Sequence, residues 1–262
     1  MLVISYGITK SGSTLAFELV KRALINSGHP QDRLSDEVVA PGHKINFIES
    51  VSPERIQKLD REIGDDRIIV VKAHTGLNRE TFTYLDPLCA EGRLKVQAIF
   101  RDPRDVCLSM IDAGRNARAN GLSAFAEIRD MSDAIESVER QLSNLRRWGA
   151  VSNALLISYD AAAFDTDTAI TSIENYLGIS CDHKAVLNEV MNEAFTQKNK
   201  AVRSRHLQEL SDSDRKIMDI VFGVFLKRVC TQGDFSWFSD VRRSLEKRQG
   251  GARKPARGNV GA

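Results

Sequence analysis

Cysteine is scarce in this sequence: 262 residues carry only four, Cys89, Cys107, Cys181 and Cys230, far apart and with no C-x-x-C pair. That excludes a disulfide framework and a cysteine-built zinc cluster, and it fits a reducing, cytoplasmic setting. His29, His43, His183 and His206 show no ligand spacing, so no metal is expected and these four are read as surface residues. Charge of one sign is not in excess either. Thirty-seven Lys and Arg against 35 Asp and Glu leave a formal net charge of +2, too small to argue for nucleic acid or a membrane surface. Any positive charge that matters must be local. No apolar run approaches the roughly 20 residues needed to cross a bilayer, so no integral membrane segment is expected. The amino terminus opens on a strand-like run rather than the basic and apolar stretches of a signal peptide.

What is present is an alternation. Runs rich in Val, Ile and Leu at 2–5, 67–72, 94–100 and 154–158 read as buried parallel strands. Helical patterns lie at 13–27, 53–63, 103–112, 132–148, 165–177 and 211–229. Strand and helix in turn predict an α/β chain: a three-layer, P-loop-type fold with a central parallel sheet flanked by helices. One domain over 1–240 is expected. Residues 26–50 read as a loop or lid, and the basic, glycine-rich stretch over 241–262 ("RRSLEKRQGGARKPARGNVGA" from Arg242) reads as a disordered tail.

The first strand runs into "GITKSGST", Gly7 to Thr14. This has the outline of the nucleotide-binding loop G-x-x-x-x-G-K-[ST], but Ser13 stands where that pattern has lysine, and Lys10 lies three places earlier. Gly7 and Gly12 permit a curved backbone and close approach of an anion. The helix start adds unpaired N–H groups and a positive dipole end. Ser11, Ser13 and Thr14 supply hydroxyls, and Lys10 supplies charge. The loop suits a phosphate or sulfate ester, and the missing lysine argues against ATP or GTP.

Two further segments end strands. "VVKAHTG" places Lys72 and His74 two residues apart, on one side of an extended chain; a histidine there is either a general base or a solvated strand-end residue. "IFRDPRDVCLSM" places Arg101 at a strand end and Ser109 on the helix that follows. The arginine can grip a phosphate through two parallel N–H bonds, or pair with Asp102 or Asp105 in a surface network.

With these three segments in order, the chain resembles the sulfotransferases that use 3′-phosphoadenosine 5′-phosphosulfate (PAPS) and release the desulfated nucleotide PAP. "TKSGSTL" is similar to that family's 5′-phosphosulfate loop, "KAH" to its K-x-H, and "RDPRDVCLS" to its R-x-P-[KR]-D with a serine eight residues after the arginine. "ISYD" puts Tyr159 where later members carry Y-E-D. The resemblance implies that Lys10, Ser11, Gly12, Ser13 and Thr14 hold the 5′ end, and that His74 is the catalytic base with Lys72 steadying the sulfuryl oxygens. It implies that Arg101 and Ser109 hold the 3′-phosphate, with Arg203 and Arg205 of "NKAVRSRH" standing in for the family's carboxyl-terminal clamp. The acceptor is a hydroxyl or amine on a small molecule, glycan or lipid, and no metal is required. Thr9 replaces the family's proline, and Leu15 its adenine-stacking tryptophan, for which Phe17 is a candidate substitute. The rival reading is a P-loop kinase or NTPase with Asp160 as magnesium ligand.

Overall fold

The computed structural model describes residues 1–193 and 202–247. In chain order its elements are β1 (Leu2–Gly7), α1 (Ser13–Asn26), β2 (Phe47–Ile48), α2 (Pro53–Ile63), β3 (Ile69–Ala73) and α3 (Arg79–Ala90). There follow β4 (Leu94–Phe100), α4 (Pro103–Ala119), α5 (Met131–Gly149), β5 (Leu155–Ser158), α6 (Tyr159–Phe164), α7 (Thr166–Leu177) and α8 (His183–Asn188). The last are α9 (His206–Glu209), α10 (Asp212–Val221), α11 (Gly223–Phe225) and α12 (Ser236–Lys247), with π-helical turns at Glu189–Glu193 and Leu226–Thr231.

The five strands form one parallel sheet in the order β2-β3-β1-β4-β5. All six residues of β1 are buried, because helices cover both faces and alternate side chains feed two cores. Leu2, Ile4 and Tyr6 join Val71, Ala98 and Trp148 on one face; Val3, Val70 and Ile99 join Leu19, Val20, Ile170 and Ile173 on the other. The three-layer α/β architecture read from the sequence is the observed one. β1 is the middle strand, so the loop leaving it is flanked by the ends of β3 and β4.

Several details differ from the sequence reading, among them that α4 runs to Ala119 rather than 112. The segment 26–50, read as loop, contributes β2 to the sheet edge beyond β3; two residues carry no periodicity, and their strand character comes from pairing alone. Helix α3, capped by the Asn78 side chain on the Thr81 amide at 2.8 Å, went unread because Pro87 in its last turn masks the helical pattern. The single helix expected over 211–229 breaks at Phe222 into α10, α11 and a π-helical turn. Finally, the expected boundary at 240 falls inside α12. Trp237 and Phe238 are buried in the core, and Arg242 donates to Asp86 at 2.6 Å and to Ser152 at 2.7 Å. The remainder of the expected tail, 248–262, lies outside the described residues. Among the described residues no helix is long and apolar enough to cross a membrane.

Candidate active site

The loop between β1 and α1 is held open by two left-handed residues, Lys10 at φ 67° and Gly12 at φ 89°. A glycine suits the second. A Cβ at Gly12 would lie 2.5 Å from the Tyr159 ring, and one at Gly7 would lie 2.6 Å from Ile99 and 2.7 Å from Ser13. Lys10 has no such exemption, so its backbone is strained. Ser11 is fully buried and donates to the Ile8 carbonyl at 2.7 Å; its hydroxyl shapes the turn. Thr9 donates through both its amide and its hydroxyl to Gln141 of α5, at 2.8 and 3.0 Å. Side chains cap α2, α3, α4 and α5, but none caps α1. Its first-turn N–H groups, opening at Ser13, therefore still lack the side-chain acceptor that a helix start ordinarily finds.

On the β3 side, Lys72 and His74 follow the strand's alternation onto the α1 face. Lys72 is buried and donates from Nζ to Thr14 Oγ1 at 2.7 Å. Burial lowers its pKa to about 8, against the opposing pull of Glu18. His74 Nδ1 lies 2.7 Å from the Gly7 carbonyl oxygen. A carbonyl only accepts, so Nδ1 carries the proton and Nε2 keeps a lone pair. Burial, reinforced by the Lys72 charge and opposed by that hydrogen bond, lowers the imidazole pKa to about 4. Trp148 stacks on Tyr6, centroids 5.1 Å apart, and donates its indole N–H to the Thr75 carbonyl at 2.9 Å, anchoring the backbone beside His74. The Lys10 ammonium stands 5.6 Å from the Phe125 ring centroid. Its pKa is lowered by burial, with Asp112 opposing and Arg101 assisting.

On the β4 side the cations are already partnered. Arg101 is nine-tenths buried, with its guanidinium 4.0 Å from the Tyr159 ring centroid and 3.7 Å from Asp105. Its Nε has no hydrogen-bond partner. Asp105 and Ser109 follow Arg101 at four-residue steps, so they share the inner face of α4, and both are buried. Asp105 also accepts from the His206 amide at 2.9 Å and lies 2.8 Å from His206 Nδ1. Burial acts to raise its pKa, yet the His206 hydrogen bonds and the Arg101 charge hold it below the usual carboxylate range.

Several sequence expectations are corrected here. The Arg101–Asp105 pair is an interior contact rather than a surface network, and Arg104 takes Asp102 and Asp219. His206, read as a surface residue, is buried. Arg205 is buried and committed to Asp112 at 2.7 Å and Glu209 at 2.8 Å, so it ties α9 to α4. Arg203 is exposed and lies 4.6 Å over the Phe164 ring, which meets the edge of Tyr159. Tyr159 opens α6 instead of ending β5. Phe17 is buried in the α1 core and is not a surface for adenine. Asp160, which the kinase reading needs, is exposed in the first turn of α6. Phe125 and Gln141 carry no signal in the sequence, whereas Asp105, named there as a possible partner of Arg101, stands at a four-residue offset from it.

A loop without a lysine at its helix start, with K-x-H on one flank and a buried arginine and serine on the other, is the arrangement on which the family comparison bears. A sulfotransferase domain model matches residues 2–234. The chain belongs to the sulfotransferase family. Among solved structures, this sulfotransferase is similar to mouse sulfotransferase SULT7A1 complexed with PAP. The TM-score is 0.56 and the identity 14%, over 96% of this chain and 88% of that one. It is also similar to retinol dehydratase in complex with androsterone and the inactive cofactor PAP, with a TM-score of 0.51 and 14% identity over 86% of this chain and 80% of that one. At such identity these likenesses speak to the fold. Among curated proteins none matches the sequence.

Proposed function

We propose that this sulfotransferase transfers the sulfuryl group of PAPS to a hydroxyl of a small-molecule, glycan or lipid acceptor, with His74 as general base. The observation that carries this reading is the hydrogen bond between His74 Nδ1 and the Gly7 carbonyl. It fixes the imidazole against the phosphate loop and leaves Nε2 to take a proton. Both structural neighbours are PAP complexes, and one also holds androsterone.

The residues present fit an adenosine bisphosphate. The loop packs this closely on Ile99, Ser13 and Tyr159 only because positions 7 and 12 lack a Cβ. The start of α1 is uncapped, and Arg101 Nε is a buried donor without an acceptor. Lys10 and the loop amides would hold the 5′-phosphate, and Arg101 and Ser109 the 3′-phosphate. The donor nucleotide supplies an activated sulfuryl group whose transfer is in-line, with charge building on the leaving oxygen; the protein contributes position and fixed positive charge. Lys72, bonded to Thr14, steadies that charge from the β3 side. Dianions bound beside Lys10, Lys72 and His74 raise all three depressed pKa values, which moves His74 from a weak base toward one matched to neutral pH. The test is calorimetry with PAP in chelator, followed by labelled PAPS offered with a panel of hydroxyl acceptors. Tight metal-free PAP binding and a labelled product are expected. Turnover of ATP that requires magnesium, without PAP binding, would favour the kinase reading.

A further inference from the structure

A second chemical cluster lies away from the nucleotide site, in the hairpin between α7 and α8. The stretch "ENYLGISCDH" runs from Glu174 to His183. Gly178, left-handed at φ 70°, ends α7, and its amide and that of Ile179 bond back to the Glu174 carbonyl at 2.8 and 3.1 Å. Asp182 then caps α8 through the amides of Lys184 and Ala185. This closed turn brings the Glu174 carboxylate, the Cys181 thiol and the His183 imidazole together, one ligand atom from each within 4.8 Å of the others. Glu174 is held in place by the Cys181 amide at 2.7 Å and meets His183 Nε2 at 2.9 Å. The other ring nitrogen, Nδ1, lies 3.4 Å from Asp167. All three groups are half-buried.

An ordinary ion pair accounts for His183 and Glu174 but not for a thiol placed on the same carboxylate. We propose that Glu174, Cys181 and His183 form a binding site for a zinc-class divalent cation, with a water in the fourth position. The mixed oxygen, sulfur and nitrogen set suits zinc, whose tetrahedral ligands sit roughly 3.3–3.8 Å apart at its usual bond lengths. Small shifts of the side chains reach that spacing from the observed cluster. On binding, the Cys181 thiol gives its proton to solvent and His183 gives up any proton on Nε2. The imidazole keeps the one on Nδ1, directed at Asp167, which orients the ring as an outer carboxylate does in known metal centres. The ion would staple α7 to α8. Ile170 and Ile173 of α7 and Val186 of α8 pack in one core with Leu19 and Val20 of α1, the helix that begins at the phosphate loop.

The test uses the full chain stripped of metal by a chelator. Titration with Co²⁺ is expected to give a thiolate-to-cobalt charge-transfer band that saturates at one equivalent and is displaced by Zn²⁺. Cys181→Ser should abolish the band, Cys230→Ser should leave it, and Asp167→Asn should weaken Co²⁺ binding by roughly ten-fold. Should Cys181→Ser not fold, alkylation of the wild-type chain gives the same answer: Zn²⁺ must slow modification of Cys181 and not of Cys230. No band at equimolar Co²⁺, a band that survives Cys181→Ser, or alkylation of Cys181 indifferent to Zn²⁺ would overturn the proposal.

Discussion

The two flanks of the loop between β1 and α1 treat positive charge in opposite ways. On the β3 flank, Lys72 is buried and His74 half-buried, and their pKa values are depressed to about 8 and about 4. The carboxylate whose charge acts on Lys72 is Glu18, itself turned to Lys21 and Arg22 at 3.8 and 3.6 Å. On the β4 flank, Arg101 is paired with Asp105, Asp105 with His206, and Arg205 with Asp112 and Glu209. A buried cation without full compensation is costly, and an incoming anion relieves that cost. A buried cation already paired is fixed in place and changes little when a ligand arrives. On the proposed reading, the β3 flank responds to the transferring group and the β4 flank holds a phosphate in register.

The largest expected effect comes from breaking the responsive flank. His74→Ala should lower kcat by roughly 10²–10⁴-fold, the usual range for a lost general base, while calorimetric PAP affinity stays within a few-fold. Survival of turnover would remove the base assignment. Next, Arg101→Gln should weaken PAP binding by roughly 10–100-fold, the value of a charged hydrogen-bonding contact. A nucleotide lacking the 3′-phosphate should lose far less, and equal losses for both would move Arg101 out of the 3′ site.

Proton linkage sharpens the contrast. Folded Lys72 has a pKa of about 8 against an ordinary 10.5. Between those values the unfolded chain binds more protons at this site, so the Lys72 contribution to stability rises with pH across that window. His74, lowered from 6.5 to about 4, does the same between those two values, with its full penalty present below about 4. PAP restores the charge on Lys72, so binding near pH 9 should take up a proton, measured by calorimetry in buffers of different ionisation enthalpy. Lys72→Met should reduce that uptake, leaving the share due to Lys10, whose pKa burial also lowers, and Arg101→Gln should not change it. The smallest effect is expected at Tyr159. Tyr159→Phe keeps the ring under the Arg101 guanidinium and should leave PAP affinity within a few-fold. Tyr159→Ala removes a cation–π contact and should cost roughly 2–30-fold.

Much of this was legible in one dimension. Runs such as "LVIS" and "LKVQAIF" are mostly apolar, without strict alternation, because a parallel sheet is buried on both faces, and that pattern survives without knowing its neighbours. The glycines of the loop, the two-residue step from Lys72 to His74 and the eight-residue step from Arg101 to Ser109 are likewise local. His206 and Arg205 were misjudged because their partners, Asp105 and Asp112, stand 101 and 93 residues away. β2 failed for a related reason, since a two-residue strand exists only by virtue of β3. The Glu174–Cys181–His183 cluster follows no standard ligand spacing; a glycine-closed hairpin, rather than a helix face, brings its members together.

By itself the sequence determined the alternation of elements, the glycine-bearing loop between β1 and α1 and the identity of the side chains at each strand end. These follow from backbone sterics and side-chain period, which act over a few residues. The tertiary structure alone decided which of those side chains remain available: Ser11 is taken by Ile8, Thr14 by Lys72 and Arg205 by two carboxylates, whereas Arg101 Nε and the start of α1 are left open. Hydrogen bonds and ion pairs are contacts through space, and only the packed sheet and helices fix which groups stand face to face.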